Sequence, residues 1–357
     1  LPEEAIARIV AKTGARIGIL APCAAARQAG IAAVADQTRW TAYGNDLTVK
    51  RLPGHHVGLP AGTAMVCFTS GTTGEPKGVV LTHLNLVVHG LTAATVYRGI
   101  GENIHINPMP LAHFAGASRV ILAIVNAGGH VILPGFQPAE MCRAVERWKG
   151  THVMMVPTMA GDLLACDMER FDLSSLNTLV YGTAPMPMPV AQQLAARMRC
   201  GLINGYGLTE SSALATALGP EDHRRAIAEG NEALLGSIGQ AAPGVELRIL
   251  DRDNKAVAPG EAGHIALRGL KISPGYLNNP RATAAKFLPG GWLLTGDQGR
   301  LLPDDHVVLL GRLDDMIISG GLNVQPGEIE REAVLISGLS QCAAFGVPSE
   351  RWGQEVR

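Results

Sequence analysis

Short apolar runs alternate along this chain with longer segments whose apolar residues recur at helical spacing. The runs Arg16–Ala21, Ala64–Phe68, Val79–Leu81, Val131–Leu133, His152–Val156, Leu176–Tyr181 and Gly201–Asn204 predict strands. Helices are predicted over Pro2–Ala11, from Thr82 onward, over Pro138–Lys149 and over Pro189–Met198. Thr38–Ala61 reads as loop-rich. Strands alternating with helices predict an α/β fold, with sheets covered by packed helices.

The texture changes near Gly236. Val245–Leu250, His264–Arg268, Trp292–Leu294, Gly299–Leu302 and Val307–Leu310 are short apolar runs separated by Pro, Gly and Asp. They predict a small antiparallel β subdomain. Gly311–Gly321 reads as a linker and turn, followed by the start of another α/β unit. The expected organisation is an α/β part over 1–235, a β subdomain over 236–311, and a hinge with the beginning of a smaller domain over 312–357.

Composition narrows the function classes. The formal charge of the 357 residues is −1, and no basic run stands out. A phosphate-tracking surface for nucleic acid is not expected. The six cysteines are scattered, with no CxxC pair and no zinc-ligand spacing. Reduced thiols and a cytoplasmic location are expected. The most apolar stretch, Val120–Leu133, is too short to span a membrane and is interrupted by Asn126, Gly128, Gly129 and His130. The start, Leu-Pro-Glu-Glu, has no basic-then-apolar pattern, so no signal peptide is expected.

The strongest local signal is Thr69-Ser70-Gly71-Thr72-Thr73-Gly74-Glu75-Pro76-Lys77-Gly78, placed between two strand runs. Glycines let such a loop approach a ligand closely. Its amides can cradle an anion, hydroxyls add donors, and Lys77 adds a cation. It lacks the GxxxxGK[ST] order of a Walker A loop. Further stations follow: Pro110-Leu111-Ala112-His113-Phe114, Gly182-Thr183-Ala184-Pro185, Gly205-Tyr206-Gly207-Leu208-Thr209-Glu210, Thr295-Gly296-Asp297, and Gly311 through Gly321 around Arg312 and Asp314.

These motifs, in this order, resemble the adenylate-forming superfamily: acyl- and aryl-CoA synthetases, peptide-synthetase adenylation domains and luciferases. The resemblance implies an acyl-CoA synthetase-like α/β large domain carrying the small antiparallel β subdomain. It also implies an ATP-dependent acid–thiol ligase using ATP, Mg2+ and coenzyme A on a small carboxylic acid, with a homodimer among the family's assemblies. Position by position, Thr69, Ser70, Gly71, Thr72, Thr73, Gly74 and Lys77 would hold the pyrophosphate portion of ATP. Gly182, Thr183, Ala184 and Pro185 would lie against adenine, with Gly182 also beside the acyl group. Tyr206 would stack on adenine, beside Gly207. Thr209 would contact phosphate and Glu210 would help hold magnesium; these two and Lys77 are the expected catalytic residues. Asp297 would accept hydrogen bonds from the ribose, and Arg312 would contact ribose or phosphate. His113, Phe114, Gly205 and Gly207 would line the acyl pocket. Asp314 would be the hinge, and Gly320 and Gly321 would line the pantetheine path.

The small residues at Gly182, Ala184 and Gly205 favour a medium or long fatty acyl chain, with an aryl acid of benzoate or cinnamate type as the alternative. A peptide-synthetase adenylation domain would need an acidic residue near the substrate amine, and Asn103–Asn107 supplies none. The family's leading segment and most of its C-terminal domain have no counterpart in the chain, and no Lys follows Lys286. A nucleotide-binding chain with impaired adenylation is therefore a further alternative.

Overall fold

The computed structural model describes residues 58–69, 76–98, 103–184, 186–313, 315–319, 322–324, 326–333, 342–349 and 351–357, and the backbone of 17–20, 37–42 and 45–51. The helix expected over Pro2–Ala11 lies outside them. The chain divides into two units, one of residues 1–80 with 275–283 and one of residues 81–274 with 284–357.

In the first unit, β1 (Ile17–Leu20), β2 (Gln37–Ala42) and β3 (Asn45–Arg51) form an antiparallel sheet in the order β1-β3-β2. Two strands thus occupy the segment expected to be loop-rich. Their Thr, Val and Trp residues suit a pleated surface. Too few of their residues are apolar to give the buried-strand pattern. A second sheet joins β4 (Thr63–Thr69), β5 (Lys77–Thr82) and β15 (Gly275–Tyr276) in the order β15-β5-β4.

The second unit is built on a seven-stranded sheet. Its strands are β6 (Ile104–Asn107), β7 (Gly129–Ile132), β8 (His152–Met155), β9 (Thr178–Gly182), β10 (Gly201–Tyr206), β11 (Thr216–Leu218) and β12 (Gln240–Ala241), in the order β12-β11-β10-β9-β8-β6-β7. Strands β6 to β10 run parallel, and β11 and β12 add antiparallel. Side chains alternate across β8 and β9. Val153, Met155, Leu179 and Tyr181 enter one core, and Met154 and Val180 enter the other. The first core packs beneath helix α3 (Pro138–Trp148) through Met141, Cys142 and Val145. The second packs beneath α1 (His83–Val96) and α2 (Phe114–Val125) through Ala93, Ala94 and Leu122. Both faces of the parallel sheet are covered, which is why its strands read as near-continuous apolar runs.

Strands β13 (Glu246–Leu250), β14 (Gly263–Arg268), β16 (Phe287–Leu288), β17 (Trp292–Leu301) and β18 (Val307–Arg312) form the antiparallel sheet, and Ile249, Ile265, Leu267 and Val307 carry it into the second core. The two strands expected over Trp292–Leu294 and Gly299–Leu302 are one continuous strand. Gly296, at φ 88°, and register shifts in both ladders let β17 carry Thr295-Gly296-Asp297 without a break. The expected linker over Gly311–Gly321 likewise contains a strand. Ile317–Ser319 pairs antiparallel with Leu322–Val324, anchored by the buried Ile317.

Candidate active site

The parallel strands β9 and β10 deliver their carboxyl ends side by side, with Gly182 paired to Gly205. The crevice outside the carboxyl ends of such strands is the usual ligand position in an open α/β sheet. Here the backbone leaves the strands under strain. Thr183 has φ 71°, Ser212 has φ 52° and Ala213 has φ 66°. Non-glycine residues reach this region only when their surroundings impose it. Hydrogen bonds do so in the turn after β10. The Leu208 N–H donates to Ser211 Oγ at 2.9 Å, and the Ala215 N–H donates to the Tyr206 carbonyl at 2.7 Å. A Cβ on Gly207 would sit 1.5 Å from the Ala213 carbonyl oxygen. That turn therefore requires glycine for its own closure, whatever it binds.

Tyr206 ends β10 with its hydroxyl donating to Asp297 Oδ2 at 2.5 Å. Asp297 and Arg312 are cross-strand partners in β17 and β18, and Arg312 Nε lies 3.1 Å from Asp297 Oδ1. The Asp297 N–H donates to Thr295 Oγ1, fixing the kink. Burial pushes the Asp297 carboxyl above its ordinary range, and the Tyr206 hydroxyl and Arg312 guanidinium pull it back. Burial, with the Asp297 charge next, holds the Tyr206 phenol well above its usual value. Tyr206 is thus a neutral donor and Asp297 an acceptor with two further lone-pair sites.

Glu210 follows in a single turn, Thr209–Ser211, and is 6% exposed. Lys286 Nζ approaches its Oε1 at 3.4 Å. Asp297 feels the charges of both Lys286 and Glu210. Among the described residues no cluster of three or more His, Cys, Asp or Glu could hold a metal alone. One buried carboxylate fits magnesium nonetheless, because that ion binds through one or two carboxylates together with substrate phosphates and water.

A cleft opens beside Tyr206 and the turn that follows it. Phe114, Met154, Thr183, Gly205, Tyr206 and Leu214 are in its wall, and His113, Gly207 and Thr209 also border it. Phe114 is buried. His113 is exposed, and its Nδ1 accepts from the Ala115 N–H as the N-cap of α2. Ala184 is exposed beyond Thr183, outside the cleft lining.

Tyr97 and Arg119 are among the lining residues that carry no sequence expectation. Arg119 Nη2 donates to the Tyr97 hydroxyl at 2.9 Å, with the guanidinium over the ring at 4.4 Å. Lys271 is wholly buried behind Leu214, donates to the Leu214 carbonyl, and is pushed down to about 7 by burial. The signal for Arg119 was its spacing. It precedes Leu122 by three residues and Ala123 by four, on the buried stripe of α2.

In the first unit, Thr69 and Lys77 stand at the facing ends of β4 and β5, where Thr69 Oγ1 donates to the Lys77 carbonyl at 3.5 Å. Lys77 Nζ lies 5.8 Å from the Tyr276 ring centroid. Ser70, Gly71, Thr72, Thr73, Gly74, Pro185, Asp314, Gly320 and Gly321 lie outside the described residues.

Comparison with known proteins shows the family and the fold. A family model described as AMP-binding enzyme matches residues 1–277. A feruloyl-CoA synthase from an Amycolatopsis species is 36% identical over 301 residues, 83% of this chain and 59% of that protein. A long-chain-fatty-acid–CoA ligase from Bacillus subtilis is 32% identical over 299 residues, 82% of this chain and 52% of that protein. Among solved structures, the amide bond synthetase McbA from Marinactinospora thermotolerans matches with a TM-score of 0.75 at 32% identity, over 85% of this chain and 60% of that one. The o-succinylbenzoate CoA synthetase MenE from Bacillus subtilis, in complex with the acyl-adenylate intermediate OSB-AMP, matches with a TM-score of 0.74 at 28% identity, over 86% and 61%. The chain spans little more than half the length of these proteins.

Proposed function

The chain belongs to the AMP-binding enzyme family of the adenylate-forming superfamily, and from that premise we propose that it is the nucleotide- and acyl-binding part of an AMP-forming acid–CoA ligase. A carboxylate is a poor electrophile. Its oxygen attacks the α-phosphorus of ATP, the bond to the bridging oxygen breaks, and pyrophosphate leaves. The resulting acyl-AMP carries a good leaving group. The thiol of coenzyme A then attacks the carbonyl, loses its proton to solvent or base, and displaces AMP.

In this reading the residues act by position and charge rather than as nucleophiles. The face of Tyr206 receives adenine, beside Gly182, Thr183, Ala184, Pro185 and Gly207. The free lone pairs of Asp297 accept the ribose hydroxyls, and Arg312, half-exposed, reaches ribose or phosphate. Thr209 and Lys77 meet phosphate, with Thr69, Ser70, Gly71, Thr72, Thr73 and Gly74. Glu210 would hold magnesium, which would neutralise phosphate charge. Phe114, Gly205 and His113 border the acid. Asp314 serves as hinge, with Gly320 and Gly321 along the pantetheine path. The acid is a medium- or long-chain fatty acid, with an aryl acid as the second reading; relatives named for both kinds of substrate match this chain.

The observation that carries the reading is a cleft at the ends of two parallel strands, lined by Tyr206, whose hydroxyl is bonded to the Asp297–Arg312 pair behind it. Calorimetric titration with a hydrolysis-resistant acyl-sulfamoyl adenosine tests it. Saturable one-to-one binding, at a Kd on the order of 10 μM or tighter, is expected. Absence of binding at millimolar ligand would overturn it.

A further inference from the structure

The cleft wall contains a buried positive charge that the reaction outlined above does not use. Arg119 is 5% exposed and lines the cleft. Its Nε is buried without a hydrogen-bond partner, and its recorded bond is to the neutral hydroxyl of Tyr97. Among the described residues no carboxylate forms an ion pair with it. Among the described residues, the titratable groups that feel its charge are also not anions. Lys271 lies nearby, and His89, His105, His130 and His152 are each driven toward the neutral form, first by burial and in part by Arg119 itself. His89 is 1% exposed with both ring nitrogens unpaired.

A guanidinium cannot shed its charge, so burial without a counter-ion is costly. Structural arginines in cores are ordinarily paired. An acidic residue would meet that need permanently, yet the described residues that touch Arg119 or feel its charge are Tyr97, His89, His105, His130 and His152. The charge instead borders empty space where the acid of an acyl-adenylate would extend.

Building on the ligase reading, but in place of the methyl-ended fatty acid given there, we propose that the acid this protein activates is a dicarboxylic acid, whose distal carboxylate is held by Arg119. One carboxylate faces the nucleotide at Tyr206 and Thr209. The acyl body passes Phe114, Met154 and Leu214. The second carboxylate accepts from the Arg119 guanidinium, with the Tyr97 hydroxyl as neighbour. Charge-assisted bonds of this kind are short and directional, and the fork of Arg matches a carboxylate edge-on. Discrimination then rests on the binding site itself. An acid ending in a methyl group leaves Arg119 unpaired, and a site built around a polar partner rejects the analogue that lacks it.

Matched sulfamoyl adenylates test this: adipoyl against hexanoyl, and suberoyl against octanoyl. Binding of each pair to the full chain is measured by calorimetry, with melting temperature recorded for each variant. The expected result is at least tenfold tighter binding of the carboxylate-ended member of one pair. Arg119→Met should abolish that preference by weakening the carboxylate-ended ligand alone, and Arg119→Lys, which keeps the charge, should restore part of it. Tyr97→Phe removes only the neighbouring hydroxyl, and a preference reduced but not reversed is expected there. Equal or tighter binding of the methyl-ended members would overturn the dicarboxylate assignment while leaving the ligase reading intact. A preference that survives Arg119→Met would also overturn it. If no adenylate of either kind binds, both readings fail together.

Discussion

The Tyr206 hydroxyl donates to Asp297 across 91 residues of chain, and this bond ties the end of a parallel strand to the middle of an antiparallel one. It orients the ring that the proposal assigns to adenine and the carboxylate assigned to ribose. Tyr206→Phe leaves Asp297 buried with one donor fewer. A destabilisation of about 1–3 kcal/mol is expected, read as a lowered denaturation midpoint, with weaker AMP binding. Unchanged stability and affinity would mean that the bond does not organise the cleft.

Arg312 separates binding from stability. Its side chain is 51% exposed, so the ion pair with Asp297 should contribute under about 1 kcal/mol. Arg312→Ala is expected to leave the unfolding curve almost unmoved and to weaken AMP binding roughly tenfold, a loss of about 1.4 kcal/mol. Denaturant titration and calorimetry on the same sample read both.

Gly207→Ala tests the turn. The added methyl would meet the Ala213 carbonyl, which belongs to a backbone already held at positive φ. Overpacking of this sort costs about 1–3 kcal/mol or more. A fall in melting temperature is expected even without nucleotide. Gly205→Ala should be milder, because its Cβ would meet Leu214 Cδ1 at 3.2 Å and the Tyr97 hydroxyl at 3.3 Å, both side-chain atoms. Its expected effect is poorer binding of the longer acyl adenylates.

Lys271 gives the stability a pH dependence. Burial lowers its folded value from 10.5 to about 7. Between these values the unfolded chain holds the proton and the folded chain does not, so stability rises with pH across that window. The slope approaches about 1.4 kcal/mol per pH unit at most. Lys271→Met should flatten the profile between pH 7 and 10. A wild-type curve that falls over that range would contradict the burial account.

The expected site residues that the structure brings together come mostly from contiguous motifs. Tyr206, Gly207, Thr209 and Glu210 share one turn, and Thr183 and Gly205 border the same cleft. Sequence reading picked out buried parallel strands well, since covering on both faces leaves an unbroken apolar run. It read Trp292–Leu294 and Gly299–Leu302 as two strands, because the backbone freedom of Gly296 serves a kink as readily as a stop. It did not find Arg119, Tyr97 or Lys271. Arg119 lies just beyond the Phe114 motif and Tyr97 and Lys271 lie outside any motif; packing of α1 and α2 brings Tyr97 and Arg119 to the cleft, and Lys271 is bonded to the carbonyl of its wall residue Leu214. Helical spacing alone shows that Arg119 shares a stripe with apolar residues, and not that a cavity lies in front of it.

The account stands or falls on where a nucleotide sits. A crystal structure of this chain grown with AMP tests that directly. The expected map has adenine against the Tyr206 ring and both ribose hydroxyls within hydrogen-bond distance of the Asp297 carboxylate. AMP bound elsewhere, with Tyr206 and Asp297 untouched, would contradict it.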